Sequence, residues 1–351
     1  MTGAEPGPGA RSTTAHALLL DRPAPLAEHP LRIGDLAVPA PATGQIVVEV
    51  TACGVCRSNL HMIEGDWVEH GVPAKTPIVP GHEVVGRVAE VGAGIDWLRP
   101  GDRVGVQPLW SSCGHCEHCL SGREQLCADK EITGETVDGG YATHMLATAA
   151  HAYRLPDSLD DAAAAPLFCP GITAFNAVSK AELAPGRSVA VFGVGGVGHM
   201  VLQFAALTGA EVVAVTRSAE HRDLAAELGV RRSVDSSNGD AADQLLASGG
   251  VDAAIVFAPS SDAVRQAVAA TRPGGTIVVG VHSDVGAMPF VDEKRVVGSV
   301  IGSRWQMQRV LQMAGAGMVH TVFEPFPLDE APEALRRLKA GELRARAVLV
   351  N

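Results

Sequence analysis

The chain has 351 residues, 46% of them hydrophobic and only 4% aromatic, and carries a formal net charge of -11 at pH 7. That length holds two domains with a core each, and the Ala-, Val-, Leu- and Gly-rich make-up suits a compact α/β protein. The acidic balance argues against nucleic acid and anionic membrane as partners. No apolar run is long enough to span a bilayer, and the N-terminus has no basic stretch followed by an apolar core, so a cytoplasmic protein is expected. Seven cysteines, odd in number and bunched, fit metal ligation better than a disulfide framework.

In chain order, residues 1–14 are Gly, Pro, Ala and Ser with little to bury and are expected to be a flexible tail. From 15 to about 160, short apolar segments at 45–50, 84–91 and 102–106 read as strands between Gly and Pro turns, an irregular β-rich domain. Near Asp160 the texture changes. A helical region begins at Asp161, and from there strands at 188–192, 211–215, 252–257 and 276–280 alternate with helices at 198–207, 219–228 and 262–270. That alternation predicts βαβ units on a parallel sheet over 161–300. Residues 301–351, with a helix at 331–339 and a strand at 346–350, are expected to fold back on the first domain.

The densest chemistry lies in Cys53-Gly54-Val55-Cys56-Arg57-Ser58-Asn59-Leu60-His61. Buried structure has no use for so many polar groups without partners, whereas a metal site with proton-handling groups does. Cys56 is read as a zinc ligand, Ser58 and His61 as the groups that move a proton away, and Cys53 as a small core residue. Gly81-His82-Glu83 offers an imidazole, and Cys169 is the remaining thiol in a suitable context. Cys56, His82 and Cys169 leave a tetrahedral position open, the mark of a catalytic zinc, with Glu83 as a spare ligand or a neighbour of the ligands. Separately, Cys113, Cys116, Cys119 and Cys127 have the C-x2-C-x2-C-x7-C spacing of a closed structural zinc site. His115 and His118, between them, are expected to face solvent.

Gly193-Val-Gly195-Gly196-Val197-Gly198 follows a strand and opens a helix, which makes it a dinucleotide-binding turn. At the end of the next strand, where an acid would bind the ribose hydroxyls, the chain reads Thr216-Arg217-Ser218. An Arg there pairs with a 2′-phosphate, so NADP(H) is expected to be preferred, with NAD(H) possible.

With these motifs in this order, the sequence resembles the zinc-dependent alcohol dehydrogenases of the medium-chain dehydrogenase/reductase superfamily over nearly all of the chain after the tail. The resemblance implies a GroES-like catalytic domain (15–160 and 301–351), a Rossmann cofactor domain (161–300) and a homodimer or homotetramer. It implies two zincs per chain and hydride transfer between a small alcohol, aldehyde or ketone and a nicotinamide. It assigns Cys56, His82 and Cys169 to the catalytic zinc, Glu83 as an acid that can join the metal transiently, Ser58 and His61 to a proton relay, Arg57 to the pyrophosphate and, more loosely, Arg304 to the cofactor phosphates. Trp67 and Trp110 fall where the family lines its substrate pocket, or else simply pack. Asn59 departs from the family's Asp, which orients the zinc-bound histidine; Asn59 retains an acceptor but no charge. Rival readings are a zinc-independent quinone or enoyl reductase, a catalytically altered reductase for a specialised substrate, and a non-catalytic cofactor-binding protein.

Overall fold

The structure is a computed structural model, and it describes residues 12–351. Most of the expected tail, 1–11, lies outside the described residues, but Thr13 and Thr14 already belong to the strand Thr13–Leu20, which pairs with Leu31–Val38. Two compact units are present. One comprises the chain up to Cys169 with Ser303–Ala316 and Phe323–Asn351; the other is Pro170–Gly302 with Gly317–Val322. The boundary thus falls at Cys169 rather than at 160. No single helix among the described residues is long and apolar enough to cross a membrane.

The first unit is built on a 7-stranded sheet ordered Phe323–Pro327, Arg346–Val350, Gln45–Val55, Val84–Val91, Arg103–Val106 and Ala152–Arg154, with His144–Thr148 also pairing with Gln45–Val55. Gln45–Val55 is the hub. It hydrogen-bonds antiparallel to Arg346–Val350, Val84–Val91 and His144–Thr148. Its Ile46, Val47, Val48, Val50, Cys53 and Val55 are buried in one apolar core, the texture of a strand covered on both faces. The strand delivers the chain directly into Cys56 and the helix Arg57–Glu64.

The second unit is a 6-stranded all-parallel sheet. Its order is Arg232–Asp235, Glu211–Thr216, Ser188–Phe192, Val251–Val256, Thr271–Val279, Arg295–Gly298. In chain order of the strands this is 3-2-1-4-5-6, the doubly wound arrangement whose first strand leads to a phosphate-binding turn. Arg232–Asp235 and Arg295–Gly298 were not expected from the sequence. They are short and carry few buried apolar residues, so periodicity gives them little signal. The helix Arg304–Gly315 was also unexpected, although Ser303 and Gln306 form a capping box at its start.

The segment that leads to Cys169 is fixed by charge. Asp160 caps the helix Asp161–Ala164, accepting from the backbone N–H of Ala162 and Ala163. Asp161 accepts from Thr51 Oγ1 at 2.7 Å and from Arg103 Nε at 2.9 Å, and a second Arg103 nitrogen reaches the same carboxylate and the Leu159 carbonyl. Both side chains of the ion pair are mostly buried, so cutting it leaves a poorly solvated guanidinium. Asp161→Ala is expected to lower stability by about 2 kcal/mol, read as a shift in the chemical-denaturation midpoint at unchanged m-value.

Candidate metal and cofactor sites

Cys56, His82, Glu83 and Cys169 converge from three separate segments of the first unit, and one ligand atom from each lies within 4.8 Å of all the others. Cys56 is the N-cap of Arg57–Glu64, His82 and Glu83 precede Val84–Val91, and Cys169 ends the turn Ala165–Phe168. The two sulfurs are 3.7 Å apart. Tetrahedral zinc with Zn–S bonds of about 2.3 Å places two sulfurs about 3.8 Å apart, so the pair fits that ion. The Cys56 thiol is held well below its usual range, first by the hydrogen bond from Cys169, with the charges of Arg346 and His82 adding to the effect against burial. Cys53, one strand position from Gly54, is the opposite case: burial raises its thiol, and it packs in the core as expected.

Glu83 is fully buried and is gripped by Arg346, whose Nε donates to Oε2 at 3.2 Å and whose Nη2 donates to Oε1. Space for the carboxylate comes from Gly54, where a Cβ would stand 1.9 Å from Glu83 Oε2. Sequence reasoning missed Arg346. Its signal was a lone cation inside the apolar terminal strand, Arg346-Ala-Val-Leu-Val350.

His82 is flanked on both ring nitrogens. Ser58 Oγ lies 3.4 Å from Nε2, and Asn59 Nδ2 lies 3.4 Å from Nδ1. The Asn59 carbonyl is already engaged by Cys56 N–H at 3.3 Å and by the Tyr141 hydroxyl at 3.3 Å. The expectation that Asn59 offers His82 an acceptor is therefore not met; its amino group faces the ring instead. Tyr141, missed in the sequence, is fully buried and packs its ring on Gly81, the residue that turns the chain into His82. His61 is half-buried. Its Nδ1 is 2.6 Å from Asp66, another residue not foreseen, and its ring centroid is 5.4 Å from that of Trp67. Trp110 is buried and donates its indole N–H to the Leu146 carbonyl at 3.1 Å. Arg57 opens the helix and reaches the Leu338 carbonyl at 3.5 Å.

Cys113, Cys116, Cys119 and Cys127 form a second cluster, again with all four sulfurs within 4.8 Å of one another. Backbone N–H groups of Cys116, Cys119 and Cys113 point at the sulfurs of Cys113, Cys116 and Cys127 at 3.3, 3.5 and 3.5 Å. The N–H groups of His115 and Cys116 hold the Cys113 thiol down to about 6. Four thiols with no other donor among them suit a closed zinc site. His115 is exposed and His118 half-buried, and neither joins the cluster.

In the second unit, Gly193-Val-Gly195-Gly196-Val197-Gly198 joins the strand Ser188–Phe192 to the helix Gly198–Ala206. Gly193 has φ +92°, and a Cβ on Gly198 would stand 1.8 Å from the Gly193 carbonyl, so the turn closes only with glycine at both positions. His199, fully buried, braces it: its Nε2 accepts from Val322 N–H at 3.3 Å, which leaves Nδ1–H to donate to the Gly195 carbonyl at 3.2 Å. Thr216 ends the next strand, and Arg217 beyond it is exposed; its carbonyl accepts from Arg222 Nη1 at 3.3 Å, while its guanidinium forms no hydrogen bond or ion pair among the described residues. Arg222 meets Asp235, the acid that ends the following strand, at 3.1 Å. Arg304 does not join the metal cluster. It begins the helix Arg304–Gly315 in the first unit, on a groove with Tyr153 and Trp97.

Comparison with known proteins agrees with this geometry. Residues 42–157 match the Alcohol dehydrogenase GroES-like domain, and residues 196–316 match the family Zinc-binding dehydrogenase. An alcohol dehydrogenase of Geobacillus stearothermophilus is 39% identical over 91% of this chain and 96% of its own length. The crystal structure of the alcohol dehydrogenase from Aeropyrum pernix superposes with a TM-score of 0.87 at 31% identity, covering 96% of this chain and 100% of that one. A protein of Sinorhizobium meliloti solved with NADP bound gives 0.85 at 28% identity, covering 97% and 100%. The chain belongs to the zinc-dependent alcohol dehydrogenases of the medium-chain dehydrogenase/reductase superfamily, with a GroES-like domain and a Rossmann-type cofactor domain.

Proposed function

We propose that this alcohol dehydrogenase holds one zinc at Cys56, His82 and Cys169 and a second at Cys113, Cys116, Cys119 and Cys127, prefers NADP(H), and moves its proton through Ser58 and His61. The observation that carries the reading is the buried set of two thiols and an imidazole with a carboxylate and a hydroxyl beside them. Zinc supplies Lewis acidity toward the alcohol or carbonyl oxygen, and the nicotinamide gives or takes the hydride. The chain's own groups do the rest. Ser58 Oγ takes the substrate proton in a hydrogen bond. His61 follows three residues later on the same helical face. Asp66 accepts the His61 Nδ1–H, which leaves Nε2 as the acceptor, and the half-exposed ring returns the proton to water. Glu83 is held at both oxygens by Arg346, so joining the metal would break that grip; we assign it to balancing charge at the ligands. Arg57 remains the proposed pyrophosphate contact, with the glycine turn at 193–198. Arg346, which grips Glu83 beside the ligands, is the second arginine we assign to the site.

The NADP(H) preference is supported by Arg217, a guanidinium free to meet a 2′-phosphate, and by Asp235, which is taken up by Arg222 and Ser237. It is also in line with the NADP bound in the Sinorhizobium relative. A homodimer or homotetramer is supported by the open sheet edge at Arg295–Gly298, near Phe290 and Val291, which are 89% and 71% exposed. Seven cysteines with no disulfide among them suit the cytoplasm. A zinc-independent reductase has no use for two such clusters, and a non-catalytic protein has no use for an intact relay.

Three measurements test this reading. Ser58→Ala should lower kcat by about 100-fold while metal analysis still finds both zincs; an unchanged kcat removes Ser58 from the relay. Were His82 to hold zinc through Nε2, its Nδ1 would carry a proton, and the Asn59 amino group at 3.4 Å would face it donor to donor. An Asp there would accept from His82, Cys56 N–H and Tyr141 together. Asn59→Asp should therefore slow zinc loss to a chelator by about tenfold, followed by a colorimetric metal indicator. Arg217→Ala should cut the NADPH-over-NADH ratio of kcat/KM by about tenfold or more. A wild type that already favours NADH refutes the preference.

A further inference from the structure

Outside the metal clusters and the glycine turn, the first unit contains a groove of about 650 Å³ with a charge imbalance that the reaction does not use. Its floor is Tyr153, its walls Leu155, Leu311 and Trp97, and at one end stand Arg304 and Gln308 from the first two turns of Arg304–Gly315. No Asp or Glu lines it. Of its two guanidiniums, Arg154 is paired with Asp102 at 2.7 Å. The Arg304 guanidinium forms no ion pair among the described residues and has the Tyr153 hydroxyl beside it, in a chain with 39 acidic against 28 basic residues.

The polar atoms beneath are unsatisfied. The Tyr153 hydroxyl, in a residue 5% exposed, completes no hydrogen bond, and its polar neighbours are Arg304 and Gln107. Both amide atoms of the fully buried Gln107 lack partners. Leaving such groups unpaired is costly, and a ligand or its water that reaches them recovers the cost. Nearby His151 shows the sign of the local field: burial, with the charge of Arg304, holds its pKa down to about 4. The helix N-terminus adds positive potential in the same place.

We propose that this groove binds a small monocarboxylate with an apolar body. The carboxylate is received by Arg304, the Tyr153 hydroxyl and Gln308, and the body lies along Trp97, Leu155 and Leu311. A guanidinium fork matches a carboxylate, the volume is that of a small-molecule site, and the apolar wall sets an organic acid apart from an inorganic anion.

The test is isothermal titration of sodium benzoate into the zinc-loaded full chain, with sodium phosphate as a second titrant. Benzoate should bind at one site per chain. Gln308→Glu, which sets a carboxylate beside Arg304, and Arg304→Met should each weaken it by about tenfold or more, and Gln308→Glu should leave kcat/KM for alcohol oxidation unchanged. Tyr153→Phe should weaken it less. Benzoate affinity that survives both Gln308→Glu and Arg304→Met would place its site elsewhere and overturn the proposal. Phosphate binding as tightly as benzoate overturns the assignment to organic acids. Absence of benzoate binding also overturns it, and a change of oligomeric mass in Gln308→Glu would then assign the groove to a second copy of the chain.

Discussion

A buried carboxylate, Glu83, and a buried guanidinium, Arg346, meet beside two thiols, and the catalytic half of the molecule is arranged around that contact. Taking two charges out of water costs several kcal/mol each unless the geometry returns it. Here the pairing is bidentate, and Arg346 also lowers the Cys56 thiol. With both thiols ionised, the cluster of Cys56, Cys169 and Glu83 carries three negative charges. Arg346 supplies one positive charge and a zinc ion two, so the set is neutral only when metal and arginine are both present. With zinc held there, a chain lacking either would leave a buried charge uncompensated or protonate a ligand, which would tie the metal to the terminal strand.

The topology explains how that arginine arrives. Arg346–Val350 is the last strand of the chain, and it pairs with the middle of the sheet through Ala347 opposite Val55, Val348 opposite Gly54 and Leu349 opposite Cys53. The register puts Arg346 level with the point where Gln45–Val55 gives way to Cys56. A slip of one residue would turn Arg346 to the other face of the sheet. The glycine at 54 leaves the gap that Glu83 fills, so three distant segments meet where one side chain is missing.

Metal chemistry made most of the ligands legible in sequence, because it fixes residue type and spacing together: Cys113 to Cys127 could be read locally, and Cys56 and His82 stood in motifs. Cys169 was accessible through its partners. Arg346, Tyr141 and Asp66 were not, because each enters through sheet pairing, ring packing or a turn rather than through spacing. Asn59 was seen as a departure, but its orientation depends on Tyr141 and Cys56 N–H, which only the fold brings together. The doubly wound unit was legible from its long buried strands. Its short strands, Arg232–Asp235 and Arg295–Gly298, bury too little to leave a periodic trace, whereas Arg304–Gly315 did carry a helical stripe, Met307, Val310, Leu311 and Ala314, behind a capping box, and was legible though overlooked.

The two thiol clusters differ in what makes them. In the lobe, three of the four sulfurs take N–H bonds from backbone within fourteen residues, so the loop entropy of bringing them together is small and much of the geometry is local. In the other cluster the two sulfurs are separated by 113 residues of chain and meet only when the sheet, the Asp161–Arg103 bridge and the terminal strand are in place. Metal held at the lobe would therefore stabilise a local turn. Metal held at Cys56, His82 and Cys169 would be linked to folding of the whole catalytic unit, since binding energy for a site that exists only in the folded state is folding energy. Losing an ion held there would unbalance the charge around Glu83 and Arg346, and the arginine that offsets that charge comes from the strand that completes the sheet.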